Sequence, residues 1–356
     1  MGAAKNIPNR LYMIQKSSFK ANRWMANRHL QTLWPSTFRQ LNPVPVKRHA
    51  ISTPDKDIIY LDCVGGSPFC DQKEEAKSPD NATPLIIMLH GLTGSSESNY
   101  IRGLQIAIDN KGWRSVTLNF RGCIEHPNLK ANSYHSGQTC DLEYVYTQIR
   151  EREPETPIAL IGFSLGGNMV LKWLGQAAKP LSVFAVCAVS VPFELDKCAN
   201  TLNKGFSKLY QKHLVDGLRE SYLLKKDYLR SQGHLEELNR LEALADMSAM
   251  NTFWKFDHHI TAVLNGFDSV NHYYNESSSR QYIKYIKVPT LMIQAEDDPF
   301  LCKSSIPTNQ DLSSYTTLEL SKQGGHVGFI GGRSPGSSAY WLDQRIPAFL
   351  QQQLNT

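Results

Sequence analysis

The chain has 356 residues, 41% hydrophobic and 20% charged, the balance of a globular protein long enough to bury a sizeable core. A net charge of +5 is too mild to argue for nucleic acid. The longest apolar run, Leu181 to Phe193, falls well short of the roughly 20 residues that cross a membrane and reads as a buried strand.

Seven scattered cysteines (63, 70, 123, 140, 187, 198 and 302) contain no Cys-x-x-Cys pair, so zinc-site spacing is absent and a reducing cytoplasmic compartment is expected. The first twenty residues lack the apolar core and small-residue cleavage site of an export signal. Gly2 is followed by Asn at position 6, where a myristoylation motif wants Ser or Thr.

Residues 1–46 read as a basic arm. Positions 1–54 hold nine Lys/Arg and no acid, which leaves the remainder of the chain near −4. With Trp24, Leu30, Leu33, Trp34 and Phe38 interleaved, such an arm is suited to weak contact with an anionic membrane surface. The favoured reading is an arm that wraps the domain, its aromatics packed and its cations solvated. Pro35, Pro43 and Pro45 predict mostly irregular chain with one short helix near Asn27–Leu33.

Two strands follow, at Lys47–Ser52 and Asp57–Val64, and then a polar surface loop between Gly65 and Pro84. Strands and helices then alternate: strand Leu85–Leu89, helix Ser98–Lys111, strand Ser115–Phe120, helix Gly137–Arg150, strand Ile158–Phe163, helix Asn168–Ala178 and strand Val183–Val191. Strands apolar on both faces, separated by helices, predict a mostly parallel sheet covered on both sides. Over residues 193–288 the alternation stops, and helical stretches such as Lys204–Leu218 and Ser221–Arg230 take over. It resumes with strands at Thr290–Ala295 and Thr316–Leu320 and a final helix near Ser338–Gln351. The predicted architecture is therefore an α/β core of residues 47–192 and 289–356, with a helical cap of residues 193–288 inserted between the sixth and seventh strands. The cap holds 13 of the 35 aromatics and is expected to line an apolar pocket over the C-terminal edge of the sheet.

At the end of the fifth predicted strand lies Gly162-Phe163-Ser164-Leu165-Gly166, a strand–turn–helix setting that presents a serine hydroxyl on a sharp turn. A serine is a poor nucleophile near neutral pH and needs a base within hydrogen-bond reach. Searching onward for an acid and then a histidine finds Glu296-Asp297-Asp298 after a strand, and His326 in a glycine-rich loop after the last strand. Asp298 is preferred on its spacing from the strand, with Asp297 left open. The Leu85–Leu89 strand runs into His90-Gly91, which predicts an oxyanion hole built from the backbone N–H groups of Leu92 and Leu165. His90, His126, His135, His258 and His259 read as turn, packing or surface residues. No metal and no cofactor is expected.

Seven stretches together resemble the YheT-like branch of the α/β-hydrolases, also called the AB hydrolase 4 family. They are Asn27-Arg-His-Leu-Gln-Thr-Leu-Trp-Pro35, His90-Gly-Leu-Thr-Gly-Ser-Ser96, Asn119-Phe-Arg-Gly-Cys123, Tyr134-His-Ser-Gly137, Gly162-Phe-Ser-Leu-Gly-Gly-Asn168, Ala295-Glu-Asp-Asp-Pro-Phe300 and Gly324-Gly-His-Val-Gly-Phe329. The resemblance implies the α/β-hydrolase fold and an esterase that uses Ser164, Asp298 and His326 as charge-relay residues. It also implies a small-molecule acyl ester of short to medium chain as partner. Acyl transfer to an alcohol and a non-catalytic binding role are the alternatives. One departure is visible after Arg121-Gly-Cys123, where the chain reads Ile124-Glu-His-Pro-Asn128 in place of the family's Ser-Gly-Glu-Pro-Asn.

Overall fold

The computed structural model describes residues 13–69, 82–124, 126–334 and 337–356. Gly2, Cys70, Glu125 and most of the predicted polar loop lie outside these residues. Nine strands form one sheet in the order β1-β9-β8-β7-β6-β4-β5-β3-β2. In chain order they are β1 (Ile14–Lys16), β2 (Lys47–Ser52), β3 (Ile58–Val64), β4 (Leu85–Leu89), β5 (Arg114–Asn119), β6 (Ile158–Phe163), β7 (Ala185–Val189), β8 (Thr290–Ala295) and β9 (Thr316–Ser321). β3 runs antiparallel to both its neighbours, β2 and β5, and every other pairing in this sheet is parallel. The sheet is thus mostly parallel, as the alternation predicts.

Side-chain alternation divides the core into two layers. Leu85, Ile87 and Leu89 of β4 face the layer that holds α3 (Cys140–Arg152) and α4 (Leu165–Gln176). Ile86 and Met88 face α2 (Asn99–Asp109) and the C-terminal helix Leu342–Leu354. Strands β4 to β8 are fully buried, which is why they read as continuous apolar runs rather than alternating ones.

The arm differs from its expected irregular course. Ile14–Lys16 adds an edge strand parallel to β9, and the predicted short helix is an eleven-residue α1 (Arg28–Phe38). Asn27 caps this helix by accepting from the N–H groups of His29 and Leu30. Pro35 does not end it. The missing proline N–H leaves the Gln31 carbonyl, four residues back, without its helical donor. That carbonyl is where Gly328 packs, so closely that a Cβ there would lie 2.1 Å from it. Phe19 and Met25 are buried in the core, while Leu30, Leu33 and Phe38 stay exposed.

The extra strand β1 shifts the count, so the helical insertion falls between β7 and β8. It contains α5 (Leu195–Leu202), α6 (Ser207–Ser231) and α7 (Leu235–Glu242). Next come α8 (Phe253–Phe256), a π turn at Asp257–Thr261, α9 (Ala262–Leu264) and α10 (Val270–Ser277). The two predicted helices around Ser207–Ser231 are one continuous helix. The insertion packs small apolar clusters of its own, and Leu92 and Phe300 of the core loops pack against one of them. Ser338–Tyr340 pairs with Ile330–Gly332, so the last helix, α11, starts at Leu342 rather than Ser338.

Two polar fastenings hold this frame. Buried Arg121 binds Asp141 at the start of α3 and Asp55 and Asp57 in the β2–β3 turn, at 2.6–2.9 Å. Buried Asn168 of α4 donates to the carbonyls of Ser136 and Ser277 and accepts from Ser279 N–H, tying α4 to the end of the insertion. No helix of the described residues is long and apolar enough to cross a membrane.

Candidate active site

Parallel strands bring the C-terminal ends of β4, β6, β7, β8 and β9 to one edge, and the predicted site residues sit there. Ser164 follows β6 with φ 51° and ψ −119°, a strained turn for a residue with a Cβ. Its N–H donates to Val189 O at 2.8 Å, and its carbonyl accepts from Asn168 N–H at 3.0 Å. The neighbouring glycines are required by space. A Cβ on Gly162 would lie 2.5 Å from Gly166 O, and one on Gly166 would lie 2.5 Å from His90 O.

Ser164 Oγ lies 3.0 Å from His326 Nε2, and His326 Nδ1 lies 2.8 Å from Asp298 Oδ2. Asp298 is 2% exposed, and its other oxygen accepts from Phe300 N–H at 2.8 Å. Of the two acids left open by sequence, Asp298 reaches the imidazole. Asp297 instead accepts from Gly325 N–H at 3.0 Å, and burial raises its carboxyl above the ordinary range.

The predicted oxyanion donors also lie at this edge. Gly91 N–H donates to the Tyr100 hydroxyl at 2.8 Å, and Thr93 N–H to the Tyr134 hydroxyl at 2.9 Å. Between them, Leu92 N–H meets no acceptor among the described residues. Leu165 opens α4, so its N–H has no carbonyl four residues back within the helix. His90 supports this turn from below. Burial pushes its imidazole down to about 4, and the neutral ring donates from Nδ1 to Gly91 O at 2.7 Å and accepts from Phe120 N–H at Nε2 at 3.1 Å.

Above the serine lies a cavity of about 940 Å³. Leu92, Ser164 and His326 line it from the core, and Leu195, Leu214 and Phe253 from the insertion. Ile124 and Pro127 also line it, so the departure from the family pattern stands in the cavity wall. Cys123, nearby, is no candidate nucleophile, because burial pushes its thiol up to about 12.

Sequence reasoning missed Phe300 as an individual part. Its ring stacks on His326 with centroids 4.0 Å apart and planes 5° from parallel, while its backbone N–H fixes Asp298. Tyr100 and Tyr134 were missed as well. Tyr134 and Phe300 do fall within the family-like stretches, so a signal for those two was present.

Residues 84–332 match the model of the alpha/beta hydrolase fold. The chain is 33% identical over 334 residues to “Putative esterase YheT” of Escherichia coli, covering 94% of this chain and 93% of that one. It is 30% identical over 281 residues to a monoacylglycerol lipase of Saccharomyces cerevisiae, covering 76% and 60%. In fold it is similar to an esterase of Pyrococcus furiosus, with a TM-score of 0.53 at 16% identity over 96% of this chain and 98% of that one. The chain belongs to the esterase- and lipase-type α/β-hydrolases, in their YheT-like branch.

Proposed function

We propose that the protein is a serine carboxylic-ester hydrolase acting on short- to medium-chain acyl esters. The observation that carries this reading is the continuous relay Ser164–His326–Asp298, with contacts of 3.0 and 2.8 Å, at the floor of the cavity. His326 Nε2 takes the hydroxyl proton as Ser164 Oγ attacks the ester carbonyl. Asp298 accepts from Nδ1–H, fixing the tautomer and stabilising the imidazolium. The carbonyl electron pair moves onto oxygen, to which the N–H groups of Leu92 and Leu165 donate. Collapse breaks the ester C–O bond, and His326 protonates the departing alcohol. Water, deprotonated by the same imidazole, then attacks the acyl carbonyl; the bond to Ser164 Oγ breaks, His326 returns the proton to Oγ, and the free acid leaves.

A cavity of about 940 Å³ is at the upper end of small-molecule sites and has room for an acyl chain together with its alcohol. We place the reaction in the cytoplasm, consistent with six cysteines free of disulfides among the described residues. The test is a panel of nitrophenyl esters of increasing acyl length, assayed with and without added alcohol. Hydrolysis that peaks at short to medium chains and disappears in Ser164→Ala supports the proposal. Alkyl ester as the main product would reassign the enzyme to acyl transfer, and no turnover of any ester would favour a binding role.

A further inference from the structure

The loop that carries His326 is held in an unusual backbone shape. Gly324, Gly325, Val327 and Phe329 have φ values of 155°, 59°, 62° and 45°. The left-handed region is sparsely populated for a bulky residue and above all for a β-branched valine, so this shape persists only where the surroundings over-determine it. Hydrogen bonds supply the restraints. Three successive N–H groups donate to side-chain oxygens from three different elements: Gly325 to Asp297 at 3.0 Å, His326 to Thr32 Oγ1 at 2.9 Å, and Val327 to Ser190 Oγ at 3.1 Å. Further along, Ile330 N–H donates to Gln31 Oε1 at 2.7 Å, and Gln31 Nε2 donates back to Ile330 O at 2.9 Å. Gln31 is fully buried.

Two of these restraints come from α1, in the N-terminal arm. The loop glycines fit that helix closely. A Cβ on Gly325 would lie 2.6 Å from Arg28 O and 2.7 Å from Thr32 Oγ1. Resting on the ester-hydrolase reading, we propose that Thr32 and Gln31 are positioning residues for His326. They hold its loop in the strained shape that places Nε2 on Ser164. Neither residue touches the reacting atoms; they act through the backbone of the loop, across 294 and 299 residues of sequence. The basic arm, besides packing on the core, thereby positions the histidine of the relay.

The test replaces Thr32 by Val, which keeps the volume but removes the acceptor, and by Ser, which keeps the acceptor. A misplacement of about 1 Å at a reacting group costs up to roughly 100-fold. Thr32→Val is therefore expected to lower kcat on a nitrophenyl ester by about 10- to 100-fold with KM little changed, and Thr32→Ser to recover most of the loss. Hydrogen exchange should show faster exchange at residues 325–330 in Thr32→Val and not in Thr32→Ser, with the central strands unchanged. Wild-type kcat in Thr32→Val overturns the proposal, whether or not the loop loosens. Equal losses in both variants, with protection reduced throughout the core, assign Thr32 to general stability and also overturn it. If the wild-type protein turns over no ester, the ester-hydrolase reading fails, and unchanged exchange in Thr32→Val would then sink the restraint separately.

Discussion

Gly166 offers a sharp test of the geometry around Ser164. A Cβ added there would lie 2.5 Å from His90 O and 2.6 Å from Leu89 O, both backbone atoms that cannot swing aside. Ordinary contact requires the start of α4 and the end of β4 to separate by roughly 0.5–1 Å. Those two segments carry Leu165 and lead into Leu92, so the shift opens the space between the two proposed oxyanion donors. Loss of one such donor costs about 10²–10³ in kcat, and that is the effect expected of Gly166→Ala. Overpacking should also cost about 1–3 kcal/mol of stability, small enough for folded protein to be assayed. The comparison is Gly217→Ala within α6, where a Cβ would meet Thr93 Cγ2 at an ordinary 3.4 Å. That change should stabilise the helix by about 0.5–1 kcal/mol and leave kcat near wild type. The assay is ester kinetics with thermal melting on both variants. Wild-type kcat in Gly166→Ala would refute the reasoning, since it would mean that the elbow and β4 are not in fixed contact.

Asp298→Asn keeps the volume but offers an amide N–H to Nδ1, so the imidazole carries its proton on Nε2 and cannot accept from Ser164. A loss of kcat on the order of 10⁴ is expected in steady-state kinetics, and a loss under tenfold would contradict the role given to this acid. Asp257 sits in the π turn with its oxygens accepting from Tyr274 and Thr261 hydroxyls, and burial pushes its carboxyl up to about 6. The unfolded carboxyl titrates at about 3.9, so the native state holds the extra proton between roughly pH 4 and 6, and this group's contribution to stability falls as pH rises through that window. Asp257→Asn should therefore raise the melting temperature above pH 6, by an amount equivalent to about 1–3 kcal/mol, and lose that advantage as pH falls towards 4. A gain equal at pH 4 and pH 8 would show that titration is not its cause.

The legible parts of the fold were those written locally. Ile158–Phe163 is apolar because both faces of β6 are covered; Gly162 within it is small because α4 backbone approaches it, and Gly166 after it because β4 backbone does. His326 could be found because its loop needs glycines at 324 and 325 to adopt positive φ. What stayed hidden was set by distant partners. Ile14–Lys16 has no strand signal of its own and exists as a strand because β9 offers an open edge. Pro35 suggested the end of a helix, yet α1 continues because the Gln31 carbonyl that loses its helical donor faces Gly328 and the helix side chains grip the histidine loop. The predicted helices Lys204–Leu218 and Ser221–Arg230 left a gap at Arg219-Glu220, and α6 runs through it unbroken. The choice between Asp297 and Asp298 rested on spacing alone, whereas the structure separates them by which one meets the imidazole and which one meets the loop backbone.

The most direct measurement of the central claim is reaction of the folded protein with a fluorophosphonate probe, followed by mass mapping of the adduct. A single adduct on Ser164, absent from Ser164→Ala and slow to form in Asp298→Asn, is the predicted result. Folded wild-type protein that takes up no probe, or takes it up at another residue, would contradict an activated serine at the end of β6.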